Sequence, residues 1–176
     1  LFHPAMKNVA PIRKELRLKT FFNLLGPLVN PSSPNHQLVG VFNLEILRLY
    51  TYLLQETNKQ FTALHSLDGY DEISLTSNFK AVSNKGEAFY NPENLGFKKI
   101  AQKEIYGGNT LKESAKIFLD VLKNESTAAQ KNVVLVNAAF AINCLNKEKE
   151  FNECFEQAQE SLVSGKAYQS LKKVTK

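Results

Sequence analysis

Gln37-Leu38-Val39-Gly40-Val41-Phe42, Asn43, Leu44 to Gln55, and Phe61-Thr62-Ala63-Leu64-His65-Ser66-Leu67 are the segments that decide the fold. The first is a short apolar run rich enough in branched residues to read as a strand. Asn43 is a good helix N-cap, and the next segment carries apolar residues at 46, 47, 50, 53 and 54, which is helical spacing. The last run has the length and apolar bias of a buried strand. A strand, a helix of about a dozen residues and a second strand predict a right-handed crossover onto a parallel neighbour.

Downstream, Ser74 to Val82 and Gly86 to Tyr90 read as two further strands joined by Ser83-Asn84-Lys85, a hairpin or small extension of the sheet. Pro92 and Gly96 break regular structure, and the remainder is helical. Thr110-Leu111-Lys112-Glu113 has the form of a capping box, and Leu111, Ala115, Phe118, Leu119 and Leu122 share one face behind it. Ala128 to Leu145 is apolar on most sides, as in a helix enclosed by other layers, so Asn137 and Asn143 within it need internal hydrogen-bond partners. Phe151 to Ser164 and Ala167 to Val174 are amphipathic and separated at Ser164-Gly165. Upstream, Val9 to Leu16 reads as a short helix with Pro11 in its first turn. The apolar stretch Thr20 to Leu25 ends at Gly26-Pro27 and passes into a loop through Asn30-Pro31-Ser32-Ser33-Pro34-Asn35. The expected architecture is α/β, with helices around a small, partial, mixed and partly parallel sheet.

Directly after the second buried run comes Asp68-Gly69-Tyr70-Asp71-Glu72, three carboxylates around a glycine. In open α/β sheets ligands bind at the carboxyl ends of the strands, where this loop would lie. Adjacent Asp71 and Glu72 suit a hard cation that keeps several waters and bridges to phosphate oxygens, as Mg²⁺ does. On local grounds the stronger reading is a solvated turn, in which Asp bonds its own backbone and Gly takes positive φ.

Composition narrows the function. At 176 residues the chain has room for one domain with a real core. Its 43% hydrophobic and 22% charged residues are those of an ordinary globular protein. No run approaches the roughly 18 apolar residues of a membrane span, and no secretory leader pattern is visible, so a cytoplasmic location is expected. The net charge of +5 is spread along the chain and only partly gathered at Arg13, Lys14, Arg17, Lys19 and the tail lysines. Aromatics do not interleave with it as on a nucleic-acid platform. Cys144 and Cys154 are too few for a disulfide framework and read as small buried thiols. Gly26-Pro27, Gly69 and Gly107-Gly108 fit neither a P-loop nor a dinucleotide fingerprint, and nothing resembles a zinc motif or a nucleophilic triad. Leu1 is not an initiator methionine, and the opening Leu-Phe-His-Pro reads as the interior of something longer.

Taken together, His3-Pro4-Ala5-Met6-Lys7-Asn8-Val9-Ala10-Pro11-Ile12-Arg13-Lys14-Glu15-Leu16 and Thr20-Phe21-Phe22-Asn23-Leu24-Leu25-Gly26-Pro27-Leu28-Val29-Asn30-Pro31 closely resemble the anthranilate phosphoribosyltransferase family. Gln37 to Val41, the loop Asp68 to Ser74, and Asn137-Ala138-Ala139 follow in family order. The resemblance implies a nucleoside phosphorylase/phosphoribosyltransferase type of catalytic domain, of which residues 1–176 are the carboxyl-terminal portion. It also implies transfer of the 5-phosphoribosyl group of phosphoribosyl pyrophosphate to the amine of anthranilate, with release of pyrophosphate and use of Mg²⁺. Carried over by position, Arg13 matches the arginine that binds the anthranilate carboxylate, and His3, Gly26 and Pro27 match residues lining the anthranilate channel. Asp71 and Glu72 match the acidic pair that holds Mg²⁺. Without the resemblance, Arg13 would be a solvated helix charge and His3 an ordinary helix-start residue.

Two positions depart from the family. Ser66 stands where glycine is frequent before the acidic loop, and Arg17 replaces a glycine common at the end of the first helix. The family's amino-terminal helical domain, with most of its homodimer contacts, its Gly-Thr-Gly-Gly-Asp loop and its Lys-His-Gly-Asn segment would precede Leu1. The isolated chain is therefore expected to be inactive. The rival expectations are a nucleoside phosphorylase on the same fold and a non-catalytic binding or assembly protein.

Overall fold

The computed structural model describes residues 22–175 and, before them, Glu15. Apart from Glu15, the helix expected at 9–16 lies outside the described residues. The chain divides into two compact units, Leu1–Asn35 and His36–Lys176. In the first, helix α1 (Phe22–Leu25) runs into a 3₁₀ turn, Gly26–Val29, with Pro27 at its start where a missing amide hydrogen costs nothing. Asn30 then bends the chain: its backbone carbonyl accepts from Ser33 N at 3.0 Å and its side-chain Oδ1 from Ser32 N at 3.0 Å.

The second unit is built on a four-stranded sheet in the order β1 (His36–Gly40), β2 (Gln60–Ser66), β3 (Phe79–Ser83), β4 (Gly86–Tyr90). Strands β1 and β2 are parallel, with His36 opposite Gln60 and Gly40 opposite Leu64. Between them runs α2 (Leu44–Gln55), the predicted crossover helix with the predicted cap: Asn43 Oδ1 accepts from Ile46 N at 2.8 Å. Strands β2, β3 and β4 are antiparallel in turn, and the hairpin turns through Asn84 and Lys85 between Ser83 and Gly86.

Six of the seven β2 residues are buried. Side-chain alternation sends Leu64 and its cross-strand neighbour Ala81 to one face, where they join Phe79, Ile73, Leu75, Val136 and Phe140 in one core. On this face α4 (Ala128–Leu145) packs, backed by α5 (Phe151–Val163) through Leu135, Ala158 and Leu162. Helix α2 covers the other face, on the side of Lys80 and Val82. The core is rich in rings. Phe79 stacks on Tyr90 with centroids 5.0 Å apart, Phe140 meets both edge-on at 5.5 and 5.3 Å, and Phe151 continues the series.

The helical region agrees closely with expectation. Helix α3 (Leu111–Leu122) has its capping box, in which Glu113 N donates to Thr110 Oγ at 3.2 Å and Thr110 N to the Glu113 carboxylate at 3.3 Å. In α4, Asn143 donates to the Lys149 carbonyl at 2.7 Å, as a polar group among helices requires. Gly165, in the left-handed conformation at φ 75°, separates α5 from α6 (Lys166–Val174). Cys144 and Cys154 are both free and buried, and burial pushes the Cys154 thiol up from its ordinary value.

One expectation needs correction. The strand expected from Ser74 begins only at Phe79. Leu75 sits at φ 59°, outside the extended region, while the hydroxyls of Ser74 and Thr76 turn to side-chain partners, so residues 74–78 run irregularly. The apolar stripe of α3 stays largely at the surface. Leu111 is 87% and Phe118 53% exposed, and Val121 is the buried residue of that helix. Its main contacts are with α6.

Two substitutions test this packing by urea unfolding. Phe79→Ala, which empties the centre of the ring cluster, is expected to cost about 3–5 kcal/mol, and Asn43→Ala, which uncaps α2, about 1 kcal/mol.

Candidate functional site

Strands β1 and β2 end side by side at Gly40 and Ser66, and the acidic loop springs from that carboxyl edge. Its first turn is local. Gly69 N donates to the Ser66 carbonyl at 2.9 Å, with Gly69 at φ 99°, and Ser66 N donates to the Tyr70 carbonyl at 3.0 Å. Leu67 N donates to the Asn78 carbonyl at 2.9 Å, which closes the loop onto the start of β3.

The three carboxylates take different roles. Asp68 is used inside the loop: its carboxylate accepts from the Thr76 hydroxyl and from Ser74 Oγ at 3.4 Å. Asp71 and Glu72 are exposed, and no side-chain hydrogen bond or ion pair ties either of them to another described residue. The turn foreseen from sequence is thus present, and the acidic pair that follows it is left exposed.

The backbone beneath the pair is held closely. Ser66 is fully buried, and its Oγ donates to the Glu72 carbonyl at 2.7 Å while accepting from Ser74 N at 3.3 Å. Asn137 of α4 accepts from Ile73 N at 3.0 Å and donates to the Ile73 carbonyl at 2.8 Å. A Cβ at Gly40 would lie 1.4 Å from the Asp71 carbonyl oxygen, so only glycine lets the end of β1 approach the loop. His65, buried one residue before Ser66, places Nδ1 2.8 Å from the Val41 carbonyl. Since a carbonyl can only accept, Nδ1 carries the proton in that bond.

Among the described residues, no three His, Cys, Asp or Glu side chains converge as a metal cage. Two adjacent carboxylates with free oxygens fit a different demand. Carboxylates so placed are the kind of hard donor that Mg²⁺ takes when water and a phosphate complete its shell. A cleft of about 580 Å³ between α2 and the hairpin, bordered by Arg48, Tyr52, Lys80 and Glu87, takes none of its lining from this loop.

The other sequence-predicted residues are placed as follows. Gly26 is exposed and Pro27 half-buried in the 3₁₀ turn of the first unit. His3 and Arg13 lie outside the described residues. Sequence reasoning named Ser66 only as a departure and Asn137 only as needing partners and as part of a family match, and it gave Gly40, Ser74, Thr76 and His65 no role at the loop. The patterns to see were there: a serine in place of glycine, and an asparagine inside an apolar helix.

Comparison with known proteins adds five likenesses. A family model described as "Glycosyl transferase family, a/b domain" matches residues 1–168. Anthranilate phosphoribosyltransferase of Flavobacterium psychrophilum is 57% identical over 174 residues, covering 99% of this chain and 52% of that protein. The Bacteroides fragilis protein of the same name is 57% identical over 173 residues, covering 98% and 52%. Among solved structures, anthranilate phosphoribosyltransferase from Thermus thermophilus superposes with a TM-score of 0.86 at 32% identity, over 97% of this chain and 51% of that one. The Saccharomyces cerevisiae enzyme in complex with PRPP and Mg gives 0.86 at 23% identity, over 97% and 49%, a likeness of fold. The chain spans about half the length of the curated relatives it matches.

Gly40→Ala tests the close approach of β1 to the loop. With nowhere for the methyl group to go, it is expected to destabilise by about 3 kcal/mol. Gly26→Ala, whose Cβ would meet nothing within 4 Å, should change stability by no more than about 0.5 kcal/mol in the same urea titration.

Proposed function

The chain belongs to the glycosyl transferase family, a/b domain, and from that premise we propose that it is the carboxyl-terminal portion of the catalytic domain of an anthranilate phosphoribosyltransferase. The reaction is transfer of the 5-phosphoribosyl group from phosphoribosyl pyrophosphate to the amine of anthranilate, a step of tryptophan biosynthesis, with pyrophosphate leaving. The observation that carries this reading is the acidic pair: Asp71 and Glu72 stand exposed at the carboxyl edge of two parallel strands, on a backbone held by Ser66 and Asn137. Similarity to proteins named for this activity, at 57% identity over nearly the whole chain, supports it over a nucleoside phosphorylase.

In this reading Asp71 and Glu72 would hold Mg²⁺, and the ion, when bound, would supply positive charge to offset that of the departing pyrophosphate. Arg13 binds the anthranilate carboxylate, because a guanidinium forms two parallel hydrogen bonds to a planar carboxylate. His3, Gly26 and Pro27 line the path of the aromatic substrate. The attacking group is the substrate's own amine, so the chain needs no nucleophile. The groups that cradle the phosphoribosyl moiety, and the contacts of a homodimer, belong to the portion of the relatives that this chain does not span. The enzyme works in the cytoplasm. Among the described residues no helix is long and apolar enough to cross a membrane.

Steady-state kinetics of the complete enzyme test the assignment. Arg13→Ala is expected to raise the KM for anthranilate roughly 10- to 100-fold with a smaller change for phosphoribosyl pyrophosphate. Replacing Asp71 by Asn together with Glu72 by Gln should instead lower activity roughly 100-fold or more at fixed Mg²⁺. Equal effects of the two changes on both substrates would refute the division of roles. The 176-residue chain assayed alone is expected to show no turnover, and formation of phosphoribosyl anthranilate by it would contradict the proposed half-site.

A further inference from the structure

Helix α4 passes behind the acidic loop and is anchored there by Val136 and Ala139, both 0% exposed, and by Phe140 in the ring cluster. Asn137 lies on the same side as Val133 and Phe140, at helical spacing. Its side chain therefore has little freedom of its own. One amide hydrogen donates to the Val133 carbonyl at 2.9 Å within the helix, the other donates to the Ile73 carbonyl, and the oxygen accepts from Ile73 N. Every hydrogen of that carboxamide is used. A primary amide laid beside a peptide unit in this way imitates a strand partner, and it fixes both the position and the rotation of the residue it pairs with. That residue, Ile73, is itself 0% exposed and follows Glu72 directly. Ser66 holds the carbonyl on the other side of the same peptide.

We infer that Asn137 is a positioning residue for the acidic pair: through its two bonds to Ile73 it sets the direction in which Asp71 and Glu72 present their carboxylates to the metal. The inference rests on the proposed reading of that pair as the Mg²⁺ ligands. Groups behind metal ligands commonly matter almost as much as the ligands, because they fix donor orientation. Here the donors have no other side-chain tether among the described residues, so the orientation is carried by the backbone beneath them. Asn143 supplies an internal control. It is the same residue type in the same helix and also bonds a loop carbonyl, but that of Lys149, remote in the chain from the acidic pair.

The experiment compares Asn137→Leu, Asn137→Asp and Asn143→Leu in the complete enzyme. The readouts are Mn²⁺ binding with pyrophosphate by electron paramagnetic resonance, amide hydrogen exchange at residues 71–74, and the Mg²⁺ concentration giving half-maximal turnover. Asn137→Leu is expected to weaken Mn²⁺ binding and raise the Mg²⁺ requirement roughly 10- to 100-fold, to speed exchange at 71–74, and to leave the KM for anthranilate within about twofold. Asn137→Asp keeps the volume but loses the donors to Ile73 and Val133. It should act in the same direction, and it replaces the leucine variant if that fails to fold. Asn143→Leu should leave Mn²⁺ binding unchanged. Unaltered Mn²⁺ binding in the Asn137 variants, or equal weakening at Asn137 and Asn143, overturns the inference. If Asp71→Asn itself leaves Mn²⁺ binding intact, the metal reading falls and the inference with it. If Asp71→Asn weakens binding and the Asn137 variants do not, only the inference falls.

Discussion

Burial of β2 on both faces is the constraint on which the rest of the structure depends. A strand in that position cannot present a polar side chain cheaply, so its residues are apolar, small or internally bonded. The two layers of helix follow from the need to cover it. The same constraint fixes register, since a slip of one residue would exchange Leu64 and Ala63 between two differently shaped cores. It also fixes where the chain can first turn polar. That point is the end of the strand, and there the carboxylates begin.

The acidic loop shows how polar groups can be divided between structure and chemistry. Asp68 is spent on Ser74 and Thr76, while Asp71 and Glu72 remain available to solvent. Between them the peptide groups of residues 72–74 are held by a serine at the end of β2 and an asparagine on α4. A loop pinned through its backbone loses little entropy when a ligand arrives, and its side chains need not be rebuilt around the charge.

Much of this was legible in the sequence because local signals agreed with the fold. Asn43 and Thr110 announce helix starts through caps that the structure contains, and the helices behind them run as their patterns require. The hairpin at Asn84-Lys85 was visible for the same reason. The misses occur where tertiary contacts override the local pattern. Leu75 carries an apolar side chain into the core from a left-handed backbone, so hydrophobicity predicted a strand where there is none. The stripe on α3 has helical period, but periodicity cannot say whether a neighbour is there to cover it. The clamp on the loop was hidden because its parts, Gly40, Ser66 and Asn137, are meaningful only once the sheet and α4 bring them together.

The pairing of Asn137 with Ile73 spans 64 residues. Ordering of the acidic loop is therefore tied to a contact of high sequence separation, and the loop acquires its final backbone only when α4 has docked on the sheet. During synthesis the carboxylates leave the ribosome well before the asparagine that positions them. Correct geometry at this loop is thus a report on completed folding of the helical layer, and damage to that layer reaches the carboxylates without touching them.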